Sequence, residues 1–202
     1  DLPQVRHARR VARSDREWRC QLVGIDVRKT QICGGDCLVS GNGQDLFCTV
    51  LGSCVAACIY DPVAGLGGMN HYLLPHNKNG KENTRYGNDA LPRLLKQLYS
   101  RGADRYRLVA KIYGGARILS KDADIGQMNI DFARRFLWER NIPIVDADHG
   151  GLSARWIDFH PASGWTFIKA ATREAAVIRE DTRVANGDGV DPHAGRALRA
   201  AR

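Results

Sequence analysis

Residues 51–75 read LGSCVAACIYDPVAGLGGMNHYLLP, two short β-compatible runs, VAACIY and GGMNHYLL, on either side of the turn-forming DPVAGLG. That pattern predicts a β-hairpin. Its apolar residues could be supplied by valine and isoleucine alone. Packing therefore does not account for the cysteine at position 54, directly after Gly52 and Ser53, or for the histidine at position 71.

A hairpin centred between Pro62 and Val63 sets Cys54 and His71 opposite each other, on one face of the sheet, with Cβ atoms roughly 4.5–5.5 Å apart. A bulge at Gly67-Gly68 would shift that register. If the pair meets, an imidazole beside a thiol stabilises the thiolate and makes Cys54 a nucleophile, with His71 as its general acid and base. Gly52 and Ser53 suit such a site, because a glycine permits close backbone approach and leaves N–H groups to face a developing oxyanion. The machinery is that of acyl transfer from an amide or ester. The plainer reading is that a free cysteine is among the most often buried residues and that a strand histidine is usually a satisfied core residue. The residues alone leave both readings open. Cys58, on the same face as Cys54 with no histidine at a matching distance, illustrates the plainer one, and Cys20, Cys33 and Cys37 are read with it as structural.

The rest of the chain supplies the frame. TQICGGDCLVSG and DLFCTVLG read as strands around GNGQ, where Gly41, Asn42 and Gly43 can take positive φ, predicting an early hairpin. NDALPRLLKQLYSRGA carries Leu91, Leu94, Leu95 and Leu98 at helical spacing, with Asn88 or Asp89 able to cap its start and Gly102 its end. RLVAKIY reads as a buried strand and NIDFARRFLWERN as a second helix. IPIVDAD, ARWIDFH and GWTFIKA read as closing strands in a meander. Strands grouped around two helices, without strict alternation, predict an α/β sandwich (α+β-like), its mixed, largely antiparallel sheet made of hairpins packed against the two helices.

Residues 20–171 read as one domain between two basic tails, 1–19 and 172–202, both polar and arginine-rich. The net charge of +8 fits attraction to an acidic partner. No aromatic-interleaved basic patch or helix-turn-helix pattern points to nucleic acid. No apolar run reaches the ~20 residues of a membrane span, and residues 1–19 show no secretory h-region, so the expected location is the cytoplasm. There the six cysteines are expected to be free thiols. Their spacings, Cys33-x-x-x-Cys37 and Cys54-x-x-x-Cys58, are not those of a zinc ribbon, and no metal site is expected.

TVLGSCVAACIYDPVAGLGGMNHYLLP, followed in order by TRYGNDALPRLL, AKIYGGARIL, IGQMNIDFARRFLWERNIPIVDADHGG and IDFHPASG, resembles the CheD family of chemoreceptor glutamine deamidases over nearly all of residues 22–170. The resemblance implies Cys54 as nucleophile, His71 as base and a threonine just before the cysteine as third member. Thr49 is the candidate, with Cys48 in that place if the alignment slips by one. It also implies hydrolysis of receptor glutamine side chains through a γ-glutamyl thioester, with methylesterase action as a secondary activity. No cofactor enters that scheme. The partners it implies are methyl-accepting chemotaxis receptors as substrate and, in some members, a CheC-type phosphatase. A non-catalytic adaptor on receptors or on such a phosphatase, and a thiol redox switch, are the competing readings.

Overall fold

The computed structural model describes residues 27–78, 80–117 and 124–171. The two tails, 1–19 and 172–202, and Cys20 lie outside the described residues. Nine strands and two helices follow in the order β1 (Arg28–Gln31), β2 (Cys37–Ser40), β3 (Asp45–Leu51), β4 (Val55–Asp61), β5 (Leu66–Asn70), α1 (Gly87–Ser100), β6 (Val109–Gly114), α2 (Ile125–Trp138), β7 (Ile144–His149), β8 (Ala154–His160) and β9 (Trp165–Ala171), counted among the described residues. The strands form a four-stranded sheet, β1-β3-β8-β9, and a five-stranded sheet, β2-β5-β4-β6-β7. Among the described strands only β1/β3 and β6/β7 pair in parallel. The expected α+β sandwich of largely antiparallel strands against two helices is present, with the strands divided between two sheets.

β4 shows how the layers arise. Successive side chains of a strand point to opposite faces. Val55, Ala57 and Ile59 join a core with Leu91, Leu94 and Leu98 of α1 and with Ile130 and Ala133 of α2. Cys54, just before the strand, and Ala56 and Cys58 within it join a second core with Phe47, Leu51, Ile157 and Phe159 of the other sheet. A strand buried on both faces must read as a continuous apolar run, as β4 does. Gly68 of β5 lets α1 settle on this sheet, since a Cβ there would lie 2.6 Å from Leu94 Cδ1.

Three expectations need correction. Strands β2 and β3 do not form a hairpin: β2 pairs with β5 and β3 with β1 and β8, so the 41–44 turn carries the chain from one sheet to the other. Among the described residues neither Gly41 nor Gly43 takes positive φ. Side chains shape the turn instead, Ser40 Oγ accepting from Asn42 N–H at 3.0 Å and Asn42 Oδ1 from Gln44 N–H at 2.9 Å. Nor do β7, β8 and β9 form a meander. β7 lies beside β6 in one sheet, while β8 and β9 make a hairpin in the other. Finally, α1 begins at Tyr86 without a side-chain cap. Asn88 and Asp89 are committed elsewhere, accepting the backbone N–H groups of Asn77 and Asn83. Gly102, at φ 98°, follows the helix end as expected.

The hairpin of β4 and β5 is present with its register moved. Asp61 pairs with Leu66 and Cys58 with Met69, which centres the turn between Val63 and Ala64. The buried Asp61 carboxylate sets it: Oδ1 accepts the N–H groups of Val63 and Ala64 at 3.0 and 3.1 Å, and Arg107 bonds the same carboxylate at 2.8 Å. That arginine, with the backbone N–H groups around it, holds the Asp61 carboxyl well below the usual carboxylate range. No helix among the described residues is long and apolar enough to cross a membrane.

Candidate active site

β3 ends at Leu51 in the four-stranded sheet and β4 begins at Val55 in the five-stranded one, so Gly52, Ser53 and Cys54 form the crossover between them. Backbone bonds pin it. Ala116 N–H donates to the Gly52 carbonyl at 2.7 Å and Gly115 N–H to the Cys54 carbonyl at 2.8 Å. Gly114 permits this approach: it has φ 103°, and a Cβ on it would fall 2.2 Å from the Cys54 carbonyl oxygen. Arg155 fastens the same turn from behind, bonding Asp148 at 2.8 Å and the Gly150 carbonyl at 2.7 Å, while Gly150 N–H donates to the Gly114 carbonyl.

His71 follows β5. Its backbone N–H donates to the Asp36 carbonyl and its carbonyl accepts Gly35 N–H at 2.7 Å. The Cys33–Asp36 turn, closed by Cys33 N–H to Asp36 Oδ2 at 2.8 Å, thus braces the histidine. The next residue, Tyr72, exchanges both backbone hydrogen bonds with Val55. Continuing that register, Cys54 lies across from Leu73 and His71 across from Ala56. The two share a face, as expected, but as diagonal rather than direct partners. Diagonal neighbours remain within reach of a long or ring side chain. Cys54 and His71 are 3% and 5% exposed.

Thr49 stands in β3, in the opposite sheet, and its hydroxyl meets His71 across the gap. Oγ1 is 2.6 Å from the Ile32 carbonyl and 3.1 Å from His71 Nδ1. The Thr49 hydroxyl donates its hydrogen bond to the Ile32 carbonyl, which can only accept. Oγ1 must then accept from His71, which puts the ring proton on Nδ1 and makes Nε2 the basic nitrogen. Cys48 points away from this contact. Phe47 and Leu51 face the inter-sheet core, so Thr49 does too, while Cys48 shares the outer face with Val50. The Ile32 carbonyl, the Cys33–Asp36 turn and the Gly114–Ala116 turn belong to this site and were not expected in it. The paired glycines of YGGA were their one visible signal.

The other cysteines have different surroundings. Burial pushes the Cys37 thiol up to about 12 and the Cys58 thiol higher still, so neither forms a thiolate near neutrality. Burial raises the Tyr72 hydroxyl as well, and the nearby Cys54 adds to that shift. No disulfide links the five cysteines among the described residues. Nor does any group of three or more His, Cys, Asp or Glu among them stand ready to hold a metal ion.

The family model described as CheD chemotactic sensory transduction matches residues 73–170, a span that begins just past His71. The chain is 48% identical over 139 residues to the probable chemoreceptor glutamine deamidase CheD of Caulobacter sp. (strain K31), covering 67% of this chain and 74% of that protein. It is 45% identical to the like-named protein of Zymomonas mobilis over 76% of this chain and 86% of that one. The chain belongs to the CheD family. The CheD of Agrobacterium fabrum is a further relative, 43% identical over 68% of this chain and 77% of its own. Among solved structures, hypothetical protein YfiH of Bacillus licheniformis matches with a TM-score of 0.40 and 14% identity, over 61% of this chain and 60% of that one.

Proposed function

We propose that this CheD-family protein hydrolyses the side-chain amide of specific glutamines on methyl-accepting chemotaxis receptors, giving glutamate and ammonia. The observation that carries the reading is the Thr49–His71 hydrogen bond, because it presents the basic Nε2 of His71 on the face it shares with Cys54. The names of the relatives supply the substrate class.

In this scheme the Cys54 thiolate attacks the γ-carbonyl carbon and the carbonyl electrons move to oxygen. The Ser53-Cys54 backbone beside Gly52 steadies that oxyanion. His71, carrying the proton taken from the thiol, delivers it to the nitrogen as the C–N bond breaks, and ammonia leaves a γ-glutamyl thioester. His71 then takes a proton from water, hydroxide adds to the thioester, and the carboxylic acid departs as the C–S bond breaks and the thiolate returns, the acid passing its proton to the ammonia released or to solvent to leave glutamate. Thr49 holds the imidazole in the tautomer both steps require. The scheme uses no metal or organic cofactor, and a glutamyl methyl ester would give the same thioester, so methylesterase action is a secondary activity of this site. A CheC-type phosphatase is the further partner implied by the family, and the cytoplasm is where both proteins would meet the receptor.

Peptide mass spectrometry of a receptor cytoplasmic fragment, incubated with the protein or with Cys54→Ala, tests the reading. Site-specific conversion of glutamine to glutamate by the wild type alone is expected. Receptor binding without conversion by either protein would replace the enzyme with an adaptor.

A further inference from the structure

Asn129 of α2 is fully buried, 75 or more residues from the crossover in sequence, and its side chain is turned toward the crossover. Its Nδ2 donates to the Ser53 carbonyl at 3.1 Å and to the Leu73 carbonyl at 2.9 Å. Both partners can only accept, which fixes the amide's orientation. The Asn129 backbone carbonyl in turn accepts the Tyr72 hydroxyl at 2.6 Å. One side chain thus ties the residue before Cys54 to a residue two beyond His71. The same amide leaves its Oδ1 buried with no hydrogen-bond partner. An unsatisfied buried acceptor costs roughly 1–3 kcal/mol, a cost the side chain bears while its Nδ2 serves the Ser53 and Leu73 carbonyls, which an apolar residue here would leave without this donor.

A trans peptide is planar, and its C=O and N–H point in opposite directions. The Ser53 carbonyl and the Cys54 N–H are the two ends of one such unit. Holding the carbonyl against α2 therefore fixes the direction of the Cys54 N–H, pointing it away from the helix. We propose that Asn129 is a positioning residue: through the Ser53 carbonyl it aims the Cys54 amide N–H at the oxygen of the tetrahedral intermediate, and through the Leu73 carbonyl it keeps the His71 strand in step. This rests on Cys54 being the nucleophile. Asn129 touches no substrate. It acts through the geometry of a donor whose direct loss in comparable sites costs about 10²–10³ in rate.

Two reagents separate this role from simple support. Acylation of Cys54 by p-nitrophenyl acetate passes through a tetrahedral oxyanion, whereas alkylation by iodoacetamide does not. In Asn129→Ala, and in the smaller change Asn129→Ser, acylation is expected to slow by about tenfold or more, with alkylation within about twofold of wild type. Against the receptor fragment, kcat is expected to fall with KM unchanged. Phe136→Leu, at the far end of the same helix, serves as the stability control: its melting temperature should fall while the ratio of the two rates stays at the wild-type value. Acylation and alkylation slowing in parallel in the Asn129 variants, or a ratio equal to that of Phe136→Leu, would overturn the positioning role and leave the nucleophile standing. Wild-type Cys54 inert to both reagents would overturn the nucleophile and the clamp together.

Discussion

The two cores of this protein differ in kind. The layer between the five-stranded sheet and the helices is built mostly of leucine, isoleucine, valine, alanine and phenylalanine, with Leu91, Leu94 and Leu98 wholly buried, and Tyr72, bonded to the Asn129 backbone carbonyl, adds a polar group at its edge near the crossover. The layer between the two sheets is apolar too, but it carries Thr49, Cys54 and His71 where the chain crosses from one sheet to the other. The difference follows from how each layer is closed. Two helices on a sheet can fill most of their seam with apolar side chains. Two sheets joined by a crossover bring backbone carbonyls such as those of Ile32 and Gly52 into the seam, and buried carbonyls need donors. The inter-sheet layer thus holds the Thr49–His71 contact in fixed geometry.

That contrast can be broken from either side. The largest effect is expected from Cys54→Ala, which should reduce conversion of receptor glutamine to background while changing stability by about 1 kcal/mol or less. Mass spectrometry and a denaturant melt read the two quantities, and a variant that retains turnover would remove the inter-sheet layer from the chemistry. Next is Leu94→Ala in the helix-facing layer, expected to cost about 3 kcal/mol through the cavity it leaves. Its kcat, corrected for the folded fraction, should match wild type, and a specific loss of kcat would show that the two layers do not divide their work in this way.

Thr49→Val sharpens the comparison within one layer, since it keeps the shape and removes the hydroxyl. It should lower kcat by about 10- to 100-fold at nearly unchanged KM, and Thr49→Ser should restore most of the rate. Equal activity of the valine and serine variants would dismiss the hydroxyl. The smallest effect concerns His149, at the end of β7 beside the Gly114 turn. Burial first, then Arg134 and Arg155, lower its pKa from the ordinary value near 6.5. A histidine that refuses a proton in the fold but accepts one when unfolded leaves stability untouched above that value and erodes it as pH falls below. Melting between pH 7 and 5 should therefore decline less steeply in His149→Gln, by less than about 1 kcal/mol at the acid end; parallel curves would mean that His149 takes up its proton in the fold.

Much of the frame was readable because it depends on local periodicity. The leucines of α1, the continuous apolar run of β4 and the turn at residues 61–65 each announce themselves over a few residues. Cys54 and His71 stood out for the converse reason, being residues that packing does not require. What could not be read depends on partners distant in sequence. Assigning β2 and β3 to one hairpin failed because strand patterns do not say which sheet a strand joins. The hairpin register moved because the Asp61 carboxylate, held by Arg107, decides where the turn closes.

The sequence by itself determined the strand–turn–strand unit, the two amphipathic helices and the placing of one cysteine and one histidine on a common face, because each follows from residue spacing along a single element or hairpin. Only the tertiary structure decided that Thr49 rather than Cys48 meets the histidine, and that Asn129 grips the Ser53 carbonyl. The physical reason is the same in both cases. A two-residue alternation leaves both faces of a strand open until another layer covers one of them, and a hydrogen bond between layers exists only once the chain has brought them together.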